Sequence, residues 1–588
     1  MSTPNKHLFF FFVLFFLFSC SGEQTKQGLK PQPAPFLAIN LSPDAQKIYE
    51  AYGKRFIVAA QGTTAGQAAK SVIEKGGNLV DAAIAASFAI SVERPQSTGL
   101  GGGGFFLYYE AKTKKTYAVD FRERAPLLAR KNMYLDERGN VVAGKSLRGI
   151  FAVATPGLVA GLTEIHSKFG KLPFAEDVEP AIQLAEKGFP IYSSLAENLE
   201  KFKDTLASFP ATKLIFLHRD GSPLQENELL VQKDLANTLR IIAKNKRDGF
   251  YKGKIARAIL QESSKRGGLL QFQDFSQYQV KWRSPLEGSF LNYKILTMPP
   301  PSSGGIHVLQ ILNILEAEPF SRENFLSAES IHRTASAMQL AFADRAVYPG
   351  DPDFVNVPTE TLISKKYALQ RRALIGERAA KASEIAAGKV PAEESLQTTH
   401  FSMMDSEGNA IASTQTINYI FGSGVVVPGT GIVLNDEMDD FSVKPGAANI
   451  FGAVGGEANS IAPKRTPLSS MSPTIILENG QTKMAVGAPG GTFIITCVAQ
   501  AILNYLAHHQ SLYQSVAAPR FHQQWLPDQL MMETPGFSED ILENLKNRGH
   551  NIKMLTRHQG CYLEAVSREA DILHGVADPR DIGISLGL

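Results

Sequence analysis

The chain has 588 residues, 44% hydrophobic and 20% charged, an ordinary globular composition with ample material for a large core. Its 60 basic and 57 acidic residues leave a formal charge of +3, so no field of one sign favours nucleic acid. The length allows up to about four ordinary domains, although a large layered α/β fold takes as many residues in one.

The first 26 residues, "MSTPNKHLFFFFVLFFLFSCSGEQTK", differ from all that follows. Lys6 and His7 form a short polar head. The apolar run 8–18 is too short to span a bilayer but suits the hydrophobic region of an export signal. It ends in "LFSC", where a small residue before a lone Cys resembles a bacterial lipobox, with Phe18 bulkier than usual for its position. The expectation is a signal over 1–19 and a lipidated Cys20 at the new N-terminus; ordinary signal cleavage is the alternative. Either route exports the chain. The lipid route makes it a periplasmic lipoprotein, tethered to a membrane without a transmembrane helix. Residues 20–50 read as a flexible lead-in. Export would let Cys497 and Cys561 pair, but there is no disulfide framework, and Cys497 within "FIITCVAQAIL" reads as a buried inert thiol.

Two Ala-rich helices are expected over 62–90, broken by a Gly pair. "STGLGGGG" then leads into two strands around a charged turn, "FFLYYEAKTKKTYAVDF". Residues 156–188, 227–265 and 305–345 are mostly helical in pattern, and "PPPSSGG" at 299–305 is a tight loop. Two glycine patterns imitate nucleotide sites. Gly99, Gly101 and Gly104 fit G-x-G-x-x-G but are followed by a strand rather than a helix, so they read as a loop permitting close backbone approach. "GNVVAGKS" at 139–146 has Walker A spacing, yet a polar turn precedes it and no helical face follows, which makes Lys145 and Ser146 surface loop residues. The 12 histidines form no H-E-x-x-H pattern, and neither a metal nor a cofactor is indicated.

Past residue 398 hairpins take over. "FSMMDSEGNAIASTQT" reads strand, turn, strand, and "PTIILENGQTKMAVGAP" is a hairpin about Asn479-Gly480. Gly490 and Gly491 then open an apolar helix. Strands and helices segregate rather than alternate, which points to an α+β fold of stacked sheets with helices outside.

The stretch "ESLQTTHF" at 394–401 starts the first of these hairpins. A threonine pair is ordinary at a strand start. The sharper reading makes Thr398 a hidden N-terminus, a nucleophile released by cleavage after Gln397. The polar residues downstream keep unusual company: "TQTIN" sets Thr416 and Asn418 on one face of a strand, "LNDEMDDFS" gathers Glu437, Asp439 and Asp440, and "RTPLSSMSPT" puts Ser469 and Ser470 in a turn. Singly these are solvated acids and turn serines.

Together with "DAAIAASFAISVERPQSTGLGGGGFF", "DFRERAP", "PGLVAGL", "MPPPSSGG", "ADRAVYPGDPDF" and "ADPRDIG", they make the chain resemble the γ-glutamyltranspeptidases over nearly all of its length. The resemblance implies the N-terminal nucleophile hydrolase fold, a four-layer αββα sandwich. It also implies self-cleavage between Gln397 and Thr398 into a large subunit, 51–397, and a small catalytic subunit, 398–588, which stay together as one heterodimer. Thr398 would be the nucleophile, with its own α-amine as base, and Thr416 would orient it. Gly490 and Gly491 would form the oxyanion hole. Arg122, Ser469 and Ser470 would take the substrate's α-carboxylate, and Asn418, Glu437 and Asp440 its α-ammonium. Residues 445–456 match the lid loop. At its gating position Phe451 stands where family members often carry Tyr, so the aromatic cover remains and the hydroxyl is lost.

The activity implied is cleavage of the γ-glutamyl amide of glutathione and related compounds, with transfer to water or to amino acid or dipeptide acceptors. The nearest rival is an acylase of the same fold that removes glutaryl groups from β-lactam nuclei. A glutaryl group has no amine, so Glu437 and Asp440 favour the γ-glutamyl substrate. The rival from another class is a non-catalytic surface lipoprotein, which Thr398, Thr416 and the glycine pair argue against.

Overall fold

The computed structural model describes residues 39, 41–385, 398–444 and 456–588. Gln397, Phe451 and Cys20, the residues expected at the cleavage site, the lid and the lipid anchor, lie outside them.

Alternation along single strands determines the layering. In Phe56–Gln61, Ile57 and Ala59 enter one hydrophobic core while Phe56, Val58 and Ala60 enter another. Both faces are buried, so the strand is apolar throughout, as a sheet covered on both sides requires. It belongs to a seven-stranded antiparallel sheet whose order is Gly583–Gly587, Phe56–Gln61, Thr399–Asp405, Ala410–Thr416, Gly103–Glu110, Lys115–Asp120 and Lys281–Arg283. A second seven-stranded antiparallel sheet runs Glu50–Gly53, Ile572–Ala577, Glu564–Glu569, Gln481–Gly487, Thr474–Glu478, Tyr293–Thr297 and Leu286–Phe290.

One core lies between the sheets and continues under the helices Gly304–Leu315, Ala328–Arg345 and Phe493–Ile502. The other packs the opposite face of the first sheet against Thr63–Glu74, Leu79–Glu93, Leu158–Phe169, Phe174–Lys187 and Lys233–Tyr251. This is the expected αββα arrangement. Strands from either side of residue 398 interleave in both sheets: Thr399–Asp405 pairs with Phe56–Gln61 on one edge and Ala410–Thr416 on the other. Backbone ladders therefore join the two segments whatever happens to the bond between them.

The local devices follow the sequence. Asn78 caps Leu79–Glu93 reciprocally with Asp81. Asn479 and Gly480 both take positive φ, 52° and 82°, the mirror-image turn that matches strand twist. Four details differ from the sequence reading. Pro43–Tyr49, assigned to the flexible lead-in, is a helix capped by Ser42. Ser146, assigned to a surface loop, is buried and donates to Asp439 Oδ1 at 2.6 Å. Cys497 is bonded to Cys561 rather than left as a thiol; the two are 64 residues apart and only the packing of the helix on the second sheet's loops brings them together. Asn418 is not on a strand face: the strand ends at Thr416, and Asn418 has φ 74°. Among the described residues no helix is long and apolar enough to cross a membrane.

Candidate active site

The two sheets set Thr398 at the head of the strand Thr399–Asp405, in the middle of the first sheet, with 5% of its surface exposed. A small cavity opens beside it, lined by Thr398, Thr416, Asn418, Arg122, Glu437, Asp440, Ser469, Ser470 and Gly491, together with Arg345 and Thr492. Of the described residues given a catalytic or substrate-binding role, only Gly490 lies outside this lining. It borders a wider groove of about 850 Å³ that also reaches Thr398.

Each group is held by its neighbours. The hydroxyl of Thr416 accepts the Asn418 N–H at 2.8 Å, and the Asn418 amide donates to the Asp436 carbonyl at 3.1 Å. This turn, not strand alternation, keeps Thr416 and Asn418 together, and Asn is among the few residues that tolerate its left-handed backbone. Asn435 ties the acidic segment to the rest, donating to the carbonyls of Gly101 at 2.7 Å and Ala154 at 2.9 Å. The next residues turn into the short helix Glu437–Asp440, which presents Glu437 and Asp440 to the cavity while Asp439 accepts from Ser146.

Arg122 follows the strand Lys115–Asp120 and reaches those acids. Its guanidinium pairs with Glu437 and, at 2.6 Å, with Asp440, and it lies 3.6 Å from Glu123. Burial opposes the cation, but the three carboxylates outweigh it and hold it charged. The acids feel the reverse. Burial drives Glu437 well above the usual carboxylate range and Asp440 upward, with Arg122 pulling both back. Burial likewise pushes Glu123 up to about 7. A desolvated cluster with more acids than cations is primed to accept another positive group.

Sequence reasoning gave Arg122 to a substrate carboxylate; Arg122 lines the cavity, and its guanidinium also pairs with Glu437 and Asp440, which sequence reasoning did not foresee. It missed Arg345, the last residue of the helix Ala328–Arg345, which donates from Nε to Ser303 Oγ at 3.0 Å and from Nη2 to Ser470 Oγ at 2.9 Å. Burial lowers its pKa to about 10, with Asp440 opposing. The available signal was an arginine within a largely apolar helix pattern, inside the quoted stretch "ADRAVYPGDPDF". Ser469 is fixed by the loop at 299–305: its carbonyl accepts from Ser303 N at 2.8 Å, and its N–H donates to Pro301 O at 3.0 Å.

Gly490 and Gly491 have φ of 131° and 53°, conformations a side chain rarely adopts. Their carbonyls start the helix Phe493–Ile502 by accepting from Phe493 and Ile494 at 3.0 and 3.3 Å. Among the described residues neither glycine N–H has a hydrogen-bond acceptor. A hydroxyl, two guanidiniums, buried acids and uncommitted backbone donors can bind a zwitterionic head group and support acyl transfer next to it.

Comparison with known proteins agrees. A family model described as gamma-glutamyltranspeptidase matches residues 65–588. A glutathione hydrolase proenzyme of Escherichia coli (strain K12) is 43% identical over 552 residues, 94% of each chain. An acylase ACY 1 proenzyme of Pseudomonas sp. (strain SE83) is 37% identical, covering 87% of this chain and 89% of its own. The crystal structure of cephalosporin acylase from Bacillus halodurans superposes with a TM-score of 0.82 at 27% identity, covering 95% of this chain and 99% of that one.

Proposed function

The chain belongs to the γ-glutamyltranspeptidase family, and from that premise we propose that Thr398 is the nucleophile of a γ-glutamyltransferase and glutathione hydrolase made as a proenzyme. The observation that carries this reading is the single cavity in which Thr398 meets Arg122, Arg345, Asn418, Glu437, Asp440 and the serine pair.

Before cleavage the Thr398 nitrogen is a peptide N–H and cannot take a proton. Cleavage after Gln397 turns it into an amine, whose ordinary pKa of about 7.7–8.0 suits a base at neutral pH. The hydroxyl then attacks the γ-carbonyl, and the N–H groups of Gly490 and Gly491 receive the negative charge that develops on its oxygen. The amine product leaves and a γ-glutamyl ester remains on Thr398. Water releases glutamate; an amino acid or dipeptide takes the group instead. The α-carboxylate is held by Ser469, Ser470, Arg122 and Arg345, and the α-ammonium by Asn418, Glu437 and Asp440. Residues 51–397 and 398–588 are the two subunits, and the interleaved ladders keep them together after cleavage.

The protein is exported to the periplasm and anchored through Cys20. The Cys497–Cys561 bond supports an oxidising compartment.

The test is one preparation read in two ways. A denaturing gel should show two chains, the smaller with N-terminal sequence Thr-Thr-His-Phe, and the same sample should release the anilide from a γ-glutamyl anilide. A single band in active protein would overturn the nucleophile assignment; cleaved protein that releases only glutaryl groups would select the acylase activity.

A further inference from the structure

We propose that the Cys497–Cys561 disulfide positions the oxyanion-binding glycines, a role that rests on the reading of Gly490 and Gly491 given above. Cys497 lies one turn inside the helix Phe493–Ile502, and both cysteines are buried, at 1% and 0% exposure. Gly490 rests on the other end of the bond. A Cβ built there would stand 3.0 Å from Cys561 Cβ, 3.1 Å from Cys561 Cα and 3.2 Å from the Gly560 carbonyl. The Gly490 and Gly491 carbonyls cap the helix that carries Cys497. The glycine backbone is thus pinned between a helix on one side and Cys561 on the other, and the disulfide joins those two walls. Cys561 is itself fixed, because the Arg520 guanidinium donates to its carbonyl at 2.5 Å and to Asp578 Oδ2 at 2.5 Å.

Reduction breaks the bond. Two electrons from a dithiol, which leaves as its cyclic disulfide, and two protons give two thiols. Unbonded sulfurs need van der Waals separation, so the walls must part or the side chains must turn away. The pocket lined by Cys497, Cys561, Phe493 and Arg520 holds only about 10 Å³ of free space, so the walls and side chains themselves must take up the separation. Either movement removes the fixed backing behind Gly490 and lets its N–H drift from the oxyanion position. Misplacement by about 1 Å costs on the order of a hundredfold in rate, and loss of one donor about a hundred- to a thousandfold. The groups that bind the substrate's head, Arg122, Asp440 and the serine pair, lie on neither wall.

The experiment compares oxidised wild type, wild type made and purified anaerobically with dithiothreitol, and Cys497→Ala/Cys561→Ala. A thiol count under denaturing conditions verifies each state, and kcat is counted per cleaved chain. With a γ-glutamyl anilide, the reduced enzyme should lose roughly ten- to a hundredfold in kcat, with KM and the inhibition constant of L-glutamate within about twofold. Air oxidation should restore it. The double variant should match the reduced enzyme and ignore dithiothreitol. Where the double variant fails to fold by circular dichroism, the wild-type pair decides. An unchanged kcat in protein carrying both thiols, or equal losses in kcat and L-glutamate binding, would overturn the positioning role. Oxidised wild type that is cleaved yet inert on γ-glutamyl substrates would instead overturn the proposed function.

Discussion

Replacing Asp440 with Asn tests the assignment of the acidic cluster most directly. The side chain keeps its shape and loses its charge. Asp440 is 11% exposed and 2.6 Å from Arg122 Nη2, so a substrate ammonium meeting it does so in a largely desolvated place. Two unit charges about 4 Å apart attract by about 4 kcal/mol at an effective dielectric of about 20. Removing one partner of a buried charge pair costs about 2–5 kcal/mol. At 1.36 kcal/mol per decade that is roughly a thirty- to five-thousandfold fall in kcat/KM. Arg122 retains Glu437 and Glu123, so the variant leaves no orphan cation and should fold. The assay compares γ-glutamyl and glutaryl anilides with the same leaving group, in wild type and Asp440→Asn. The γ-glutamyl rate should fall within that range while the glutaryl rate, with no ammonium to lose, changes little. Equal losses on both substrates would refute the ammonium assignment and reopen the roles of Glu437 and Asn418.

Arg345→Ala should behave oppositely, raising KM about tenfold or more for both anilides alike, because both carry the carboxylate that Arg345 and Ser470 face. Thr398→Ala should run as one uncut chain without activity, whereas wild type lacking residues 1–19 should give chains of about 41 and 21 kDa at the mean residue mass set by 64.0 kDa over 588 residues. His307 is buried and its pKa is pushed down to about 3, below the unfolded value of about 6.5. Its contribution to stability is therefore complete above about pH 6.5 and lost as the pH falls toward 3, so the margin of wild type over His307→Asn in urea unfolding should shrink by up to about 1.4 kcal/mol per pH unit across that window. A palmitate analogue should label wild type and not Cys20→Ala; an unlabelled wild type processed elsewhere leaves export without an anchor.

The strand pairs after residue 398, the Asn479-Gly480 turn and the Gly76–Gly77 break are local, each set by backbone sterics or by a short run of residues, and so were legible in the chain by itself. Long ordered motifs also named, through the family resemblance, residues that the structure gathers around one cavity. The partners of those residues were not legible. Arg122 and Asp440 are 318 positions apart, and nothing local says that the guanidinium fork meets acids before it meets substrate. Ser146 looked like a surface loop residue because its hydrogen-bond acceptor, Asp439, lies 293 positions away. Arg345 looked like one arginine in a helix until the loop at 299–305 and Ser470 closed around it. The pairing of Cys497 with Cys561 belongs to the same class: the sequence supplied two thiols and an apolar run, and only the docking of the helix Phe493–Ile502 against Gly560 and Cys561 brought the sulfurs together. Local conformation follows from neighbours along the chain, whereas ion pairing, desolvation and cross-links depend on what burial places within a few ångströms, which only the packed sheets and helices decide.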